Sequence, residues 1–379
     1  VSAALFILAL ALRLLWAWWS GQLGGLANDY RYDDGAYVDM ALSFVGRSDS
    51  LWITHPPGYP FFLLPFLQLG DWGLPLARVV QLALGAALAP LTLAACRRMD
   101  FDRREAAVAG LLVAVHPMMV FISARIMPET LFTFKIACFA VAWTAAWRRG
   151  SAPMAALAGL FGAVASLTRG IMLPFGLGLA VTAALYRRQQ QRWAALIAVC
   201  GVVWGLCMVP WTVRNWVHFR RLIPFSAQGG WNFYEGMTRD YGPQLAARSA
   251  AMGRESQAAG LKDAFEIDAY FSRKTKDWIA AHPLEFAKIT LIKAVRFWRL
   301  APYAPHPLSG RLATGIFTAV LFVLALAGLR AGFLSRPGAP FAAAFVLYLA
   351  LMHSFFFSAL RYRMPAEPFI AMAAGLGAA

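Results

Sequence analysis

Runs of about 20 apolar residues recur from one end of this chain to the other, the length an α-helix needs to cross the hydrocarbon core of a bilayer. Window by window they fall at about ten places, near residues 3–19, 74–96, 105–123, 129–147, 155–167, 171–186, 193–211, 312–329, 341–357 and 365–379. The fifth and sixth are short or interrupted and read as broken helices. Charged residues make up only 14% of the 379, against 60% hydrophobic ones, and the mean hydropathy is +0.55. A soluble chain carries about 25% charged residues. The runs are also too long and too uniformly apolar for the alternating strands of a barrel. The expected fold class is therefore an all-α polytopic membrane protein, with amphipathic helices in its outer loops.

The net charge of +16 does not point to nucleic acid. Its Arg residues concentrate in short links between apolar runs: "CRRMDFDRR" (96–104), "WRRGS" (147–151), "YRRQQQRW" (186–193) and "LRAGFLSRPG" (329–338). These links fall on alternate turns of the count, so they share one face, which the positive-inside rule makes cytoplasmic. Membrane lipids, through their anionic head groups, are the expected partners of these charges. The opposite face then receives the first outer loop (20–73), the Met127–Pro128 turn, residues 168–170, the long outer loop (213–307) and residues 358–364. Ala36, Tyr37, Met40, Ala41, Phe44 and Val45 repeat at helical spacing and predict an amphipathic helix on the membrane surface. The long loop holds a mixed-charge helical pattern at 261–283 and another amphipathic stripe at 282–298. The whole chain, 1–379, reads as one transmembrane domain with trimmed termini, since it opens and stops inside apolar runs. The first run keeps Arg13 at its middle and has no small-residue cleavage site. Cys96, Cys138, Cys200 and Cys207 all lie in apolar runs without a CxxC pair and read as core residues.

Polar residues that look out of place in such a chain all map to the non-cytoplasmic face. Asp33 and Asp34 stand in "NDYRYDDGAYVDMALSF", His55 in "THPPGYP", Glu129 in "RIMPETLF", Arg169 in "LTRGIMLP", Arg214 in "PWTVRNW", and Arg361 and Arg363 in "RYRMP". A carboxylate serves as general base on a hydroxyl nucleophile. Arg and His hold a phosphate leaving group, Arg through its forked donors. A substrate that needs both at a membrane surface is a lipid-linked phosphosugar. No phosphate loop and no dinucleotide fingerprint is present, which argues against a soluble nucleotide-sugar donor.

The ordered set "DDGAY", "HPPGYP", "PE", "PWTVRN" and "RYRMPAEPF" resembles the bacterial family 39 glycosyltransferases, relatives of the protein O-mannosyltransferases and of the aminoarabinose transferase that modifies lipid A. The resemblance covers nearly the whole chain. It implies a membrane class C glycosyltransferase fold and a polyprenyl-phosphate-linked sugar as donor. It also implies a lipid, glycan or protein acceptor, and an active site facing the outside of a bacterial plasma membrane. By the resemblance Asp33 is the catalytic base, four residues before Tyr37, and Asp34 takes the place of a family Glu. Glu129 matches a second acid at the mouth of a span, and His55 matches the Lys or His that meets the donor phosphate. Arg169 and Arg214 match recurrent positions, and Arg361 and Arg363 join them as phosphate-binding candidates. Tyr37, Tyr59, Trp231 and Asn232 are expected to line the substrate cleft.

Plainer readings stand beside these. One Asp of the pair is explained as a helix N-cap, and Glu129 as a first-turn acid favoured by the helix dipole. His55 reads equally as a loop residue ahead of two prolines, and Arg361 and Arg363 as head-group anchors. Arg13 and Lys135 lie inside apolar runs and are left outside the expected site; Lys135 reads as a snorkelling residue. His116, His218, His282, His306 and His353 show no metal-ligand spacing, so no cofactor is expected, while a divalent ion on acids plus phosphate stays open. A flippase or transporter for the same lipids remains the alternative. It shares the spans and the cationic cavity but favours matched or inverted halves, which the sequence does not display.

Overall fold

A computed structural model describes residues 1–23, 34–47, 53–186, 191–238, 243–303 and 307–379. The regular structure of these residues is helical throughout. In chain order the first half holds α1 Ser2–Trp19, α2 Asp34–Ser43, α3 Gly58–Leu67, α4 Gly73–Arg98, α5 Arg103–Ala114, α6 Pro117–Ser123, α7 Pro128–Arg149, α8 Ala152–Ser166 and α9 Met172–Tyr186. The second half holds α10 Gln191–Phe219, α11 Gly229–Gly236, α12 Pro243–Ala258, α13 Ala264–Ala281, α14 Pro283–Phe297, α15 Leu308–Arg330, α16 Ala339–Phe355, α17 Leu360–Arg363 and α18 Glu367–Gly377.

Among the described residues five helices are long and apolar enough to cross a membrane: α1, the stretch Gly70–Arg98 that contains α4, α7, α10 and α15. A sixth candidate is α5 with α6, expected from the sequence as one span over 105–123. The structure bends it by 51°. Pro117 has no N–H to continue the ladder, and the His116 side chain turns back to accept from the Met119 N–H at 3.4 Å, so a new helix starts there. Several other expected spans are shorter helices. At 1.5 Å per residue, α8 and α16 reach roughly 23–26 Å, less than the hydrocarbon thickness of about 30 Å.

Burial orders the bundle. In α7, 72% of the apolar window is buried, against 22% in α1 and α10 and 28% in α15. Thus α7 is central, and the other three turn aliphatic side chains such as Leu15, Val202, Leu206, Ile316 and Val323 outward. The central helix begins with Pro128 in its first turn and ends at Gly150, whose φ of +63° is the left-handed conformation that favours glycine. The helix predicted on the membrane surface near residue 36 is α2. Its Tyr37, Val38, Met40 and Ala41 are buried against protein, while Asp39 points to solvent. The two amphipathic patterns of the long loop are α13 and α14, separated at His282–Pro283.

The Arg-bearing links converge at one end. Arg148 Nη1 donates to Asp100 Oδ1 at 2.5 Å and to the Arg98 carbonyl at 2.6 Å. Arg336 reaches the Asp100 carbonyl at 2.5 Å and Glu105 Oε1 at 3.2 Å. Asp102 and Glu105 close a capping box on α5. Trp147 stacks on Trp193, the last residue of the third link, at 3.6 Å.

Candidate functional site

The opposite end of α7 carries Glu129 in its first turn, with only 1% of its surface exposed. Glu129 Oε1 accepts from Arg169 Nη2 at 2.7 Å, and Arg361 Nε lies 3.8 Å from the same oxygen. Glu129 Oε2 is buried and accepts no hydrogen bond among the described residues. Two guanidiniums and one carboxylate oxygen thus form a compact charged group, and the second oxygen keeps its lone pairs. Tyr362 is the platform beneath the cations. Arg169 and Arg361 sit 5.1 and 4.7 Å from its ring centroid, and Arg361 Nη2 donates to its hydroxyl at 2.6 Å. His353 stacks on the same ring at 4.9 Å and holds the Phe357 carbonyl, at 2.9 Å from Nδ1.

The loop that carries Arg169 is fixed from several sides. Its Leu167 carbonyl accepts from the Gly58 N–H at 2.6 Å. Gly58 is glycine for a steric reason: a Cβ there would come within 2.7 Å of both the Leu167 oxygen and Thr168 Oγ1. Lys135 of α7 donates to Thr168 Oγ1 at 2.6 Å and to the Val164 carbonyl at 3.3 Å. Tyr348 of α16 donates to the Ile171 carbonyl.

Gly58 belongs to the "HPPGYP" turn, so the same contacts tie His55 to this end. His55 packs edge-on against Tyr37 at 4.7 Å, and its Nδ1 lies 3.1 Å from Thr54 Oγ1. Tyr37 in turn meets Tyr59 at 5.2 Å. The Tyr59 hydroxyl donates to Gln81 Oε1 at 2.8 Å, and Gln81 Nε2 donates to the Ser123 and Arg125 carbonyls. A polar chain therefore runs from α2 through α3 and α4 to the turn just before α7.

The structure brings together Tyr37, His55, Tyr59, Glu129, Arg169 and Arg361 from the residues picked out in the sequence. Asp33 lies outside the described residues, and of Asp34 the structure gives only its place as the first residue of α2. Four candidates are engaged by other partners. Arg363 is fully buried, with Nε on Glu367 Oε1 at 2.6 Å and Nη1 on the Phe297 and Arg299 carbonyls at 2.9 and 2.7 Å. Its guanidinium is an internal tie between Glu367 and the end of α14. Arg214 stacks over Trp211 and Phe219 and donates to Asn215 Oδ1 at 3.0 Å. In the same motif Trp211 and Asn215 hold the Phe225 and Ile223 carbonyls, so "PWTVRN" clasps the loop that follows α10. Trp231 packs on Phe271 of α13, and Asn232 sits in the same short helix α11. Lys135, Gln81 and Tyr362 are the residues the sequence reading left out. Lys135 offered a signal, a lysine inside an apolar run; Gln81 and Tyr362 offered none. No trio of His, Cys, Asp or Glu side chains converges among the described residues.

With this geometry in view, comparison with solved structures shows a shared fold. The archaeal oligosaccharyltransferase AglB from Archaeoglobus fulgidus, in complex with an inhibitory peptide and a dolichol-phosphate, aligns at a TM-score of 0.56 and 12% identity, over 99% of this chain and 50% of that one. The apo form of the Archaeoglobus fulgidus oligosaccharyltransferase gives 0.55, with the same identity and coverage. ArnT from Cupriavidus metallidurans bound to undecaprenyl phosphate aligns at 0.45 and 18% identity, over 98% of this chain and 77% of that one. The chain thus spans about half the length of the archaeal proteins. Residues 54–213 match the family model described as dolichyl-phosphate-mannose-protein mannosyltransferase. No curated protein matches the sequence. The shared fold and the partial family match agree with the resemblance to the membrane class C glycosyltransferases read from the sequence, and the several long apolar helices fit a multi-pass membrane protein.

Proposed function

We propose that the chain transfers a sugar from a polyprenyl-phosphate-linked donor to an acceptor hydroxyl, at the outer face of a bacterial plasma membrane. The observation that carries this reading is the cluster at the first turn of α7. One buried carboxylate oxygen holds two guanidiniums, and the other has no hydrogen-bond partner among the described residues. Cations in excess of the carboxylate favour a bound phosphate, and an acid oxygen with open lone pairs suits a hydroxyl proton. The acceptor is a lipid, a glycan or a protein.

In the proposed reaction the acceptor oxygen attacks the anomeric carbon. The bond from that carbon to the phosphate oxygen breaks, and the hydroxyl proton passes to a carboxylate. Asp33 is our candidate for that base, with Asp34 beside it and Glu129 as the second acid. His55, Arg169 and Arg361 meet the departing polyprenyl phosphate, whose growing charge they stabilise. Arg214 keeps a place in this set as a further cation. Tyr37 and Tyr59 line the same end, whereas Trp231 and Asn232 belong to an outer acceptor surface. One-step attack inverts the anomeric configuration. The archaeal structure with dolichol-phosphate supports this reading, since a polyprenyl phosphate is bound by a protein of the same fold.

The test is purified protein in liposomes with a panel of polyprenyl-phosphate sugars, following release of polyprenyl phosphate for wild type, Asp33→Asn and Glu129→Gln. Release that depends on these acids supports the assignment. Lipid that crosses the bilayer with its sugar still attached overturns it in favour of a flippase.

A further inference from the structure

Lys135 has no part in the mechanism above, yet it lies inside the most buried candidate span among the described residues. A lysine there is costly unless its ammonium is held, and residues of this kind mark function by default. Its ammonium is held by the very loop that carries Arg169. Nζ donates to Thr168 Oγ1 at 2.6 Å and to the Val164 carbonyl at 3.3 Å. The Thr168 hydroxyl spends its own proton on the Val164 carbonyl at 2.7 Å, so it meets Lys135 as an acceptor. One residue further on, Arg169 returns to α7 and bonds Glu129. Two neighbouring loop residues are therefore tied to α7 at points six residues apart, about 9 Å along the helix axis.

Thr168 also faces the other half of the site. The space a Cβ of Gly58 would need is filled by Thr168 Oγ1 and the Leu167 oxygen, and the Gly58 N–H is bonded to that oxygen at 2.6 Å. Gly58 is three residues from His55 in a turn stiffened by Pro56 and Pro57. The ammonium thus fixes a side chain that both touches the turn bearing His55 and adjoins the residue that pairs with Glu129.

We propose that Lys135 is a positioning residue, setting through Thr168 the spacing between the His55 turn and the Arg169–Glu129 pair. The inference rests on the transferase reading for its kinetic consequences but not for its structural ones. The principle is general: charged groups that meet a transition state act fully only when the groups behind them are locked.

The experiment compares wild type with Lys135→Met, Lys135→Arg, Thr168→Val and the double variant Lys135→Met/Thr168→Val. The first readout is amide hydrogen exchange of the peptide containing Gly58, with peptides of α4 as internal control. Lys135→Met and Thr168→Val are expected to speed exchange at Gly58 at least tenfold, with α4 unchanged and Lys135→Arg close to wild type. The second is release of polyprenyl phosphate per folded enzyme. There Lys135→Met and Thr168→Val are each expected to lower kcat about 10–100-fold and Lys135→Arg to stay close to wild type, with the double no worse than the weaker of the first two, because both remove one link. Unchanged exchange at Gly58 in Lys135→Met overturns the inference whether or not any donor is turned over. Altered exchange with normal turnover overturns it as well, since the link then has no bearing on the site. Altered exchange in a protein whose wild type releases nothing from any donor sustains the link and counts against the transferase reading instead.

Discussion

The two ends of α7 hold the same kinds of side chain and use them differently. Its first turn carries Glu129 and its last turn Arg148, about 28 Å apart along the axis. At the Arg148 end the ion pair with Asp100 is open to water, with side chains 39% and 51% exposed. Arg148 and Arg336 there also cap backbone carbonyls. At the Glu129 end the acid is 1% exposed, its arginines 19% and 22%, and an acid oxygen has no hydrogen-bond partner among the described residues. The comparison teaches that the count of charges does not mark a site. What separates the two ends of α7 is how far the charge is withdrawn from water.

The sharpest way to break the comparison is to neutralise the acids at the proposed site. Glu129→Gln and Asp33→Asn should each lower polyprenyl phosphate release by about 10²–10⁴-fold, the range for a positioned acid or base. Turnover within twofold of wild type in both would remove the distinction between the two ends. A buried ion pair outside the site supplies the control. Arg363→Met leaves Glu367 buried without its guanidinium and should cost about 3–5 kcal/mol of stability. Thermal denaturation in detergent checks this, and the double variant Arg363→Met/Glu367→Met should recover much of the loss. At the exposed end, Arg148→Ala should cost less than about 1 kcal/mol, as exposed pairs do, and leave turnover per folded enzyme as it was. A large loss of turnover there would mean that the end with the Arg links shares in the chemistry.

A smaller effect is expected from pH in the outer segment. Lys293 of α14 is buried and donates to the Gly236, Phe355 and Phe356 carbonyls. Burial, with Arg296 adding to it, pulls its pKa down from 10.5 to about 7. The unfolded chain then holds that proton to higher pH than the folded one, so this group makes stability rise as pH goes from about 7 to 10.5. Denaturation midpoints of wild type and Lys293→Met across that window check the sign: the variant should show the shallower rise.

Much of this was legible in the sequence because a bilayer makes hydrophobic length a strong signal. The helices near residues 74–96, 129–147, 193–211 and 312–329 are present as α4, α7, α10 and α15. The alternation of Arg links with polar loops also anticipated two unlike ends. The bend between α5 and α6 was less visible, although Pro117 was there to see, because a proline inside an apolar run is equally compatible with a kinked continuous span. Arg361 and Arg363 illustrate the harder limit. They are two residues apart in one short segment, yet one joins Glu129 and the other is buried against Glu367. Adjacent side chains on a helical turn point in different directions, and no local pattern says which of them meets a distant acid.

The sequence by itself determined a helical membrane bundle and the residue types available at each loop, because apolar length and charge placement act locally along the chain. Only the tertiary structure decided which charges meet. Glu129 finds Arg169 and Arg361 across separations of 40 and 232 residues, and Lys135 finds Thr168 across 33, because folding sets which helix ends and loops lie side by side. Those meetings depend on helix packing and on backbone contacts such as Gly58 against Leu167, which form only when the whole bundle has assembled.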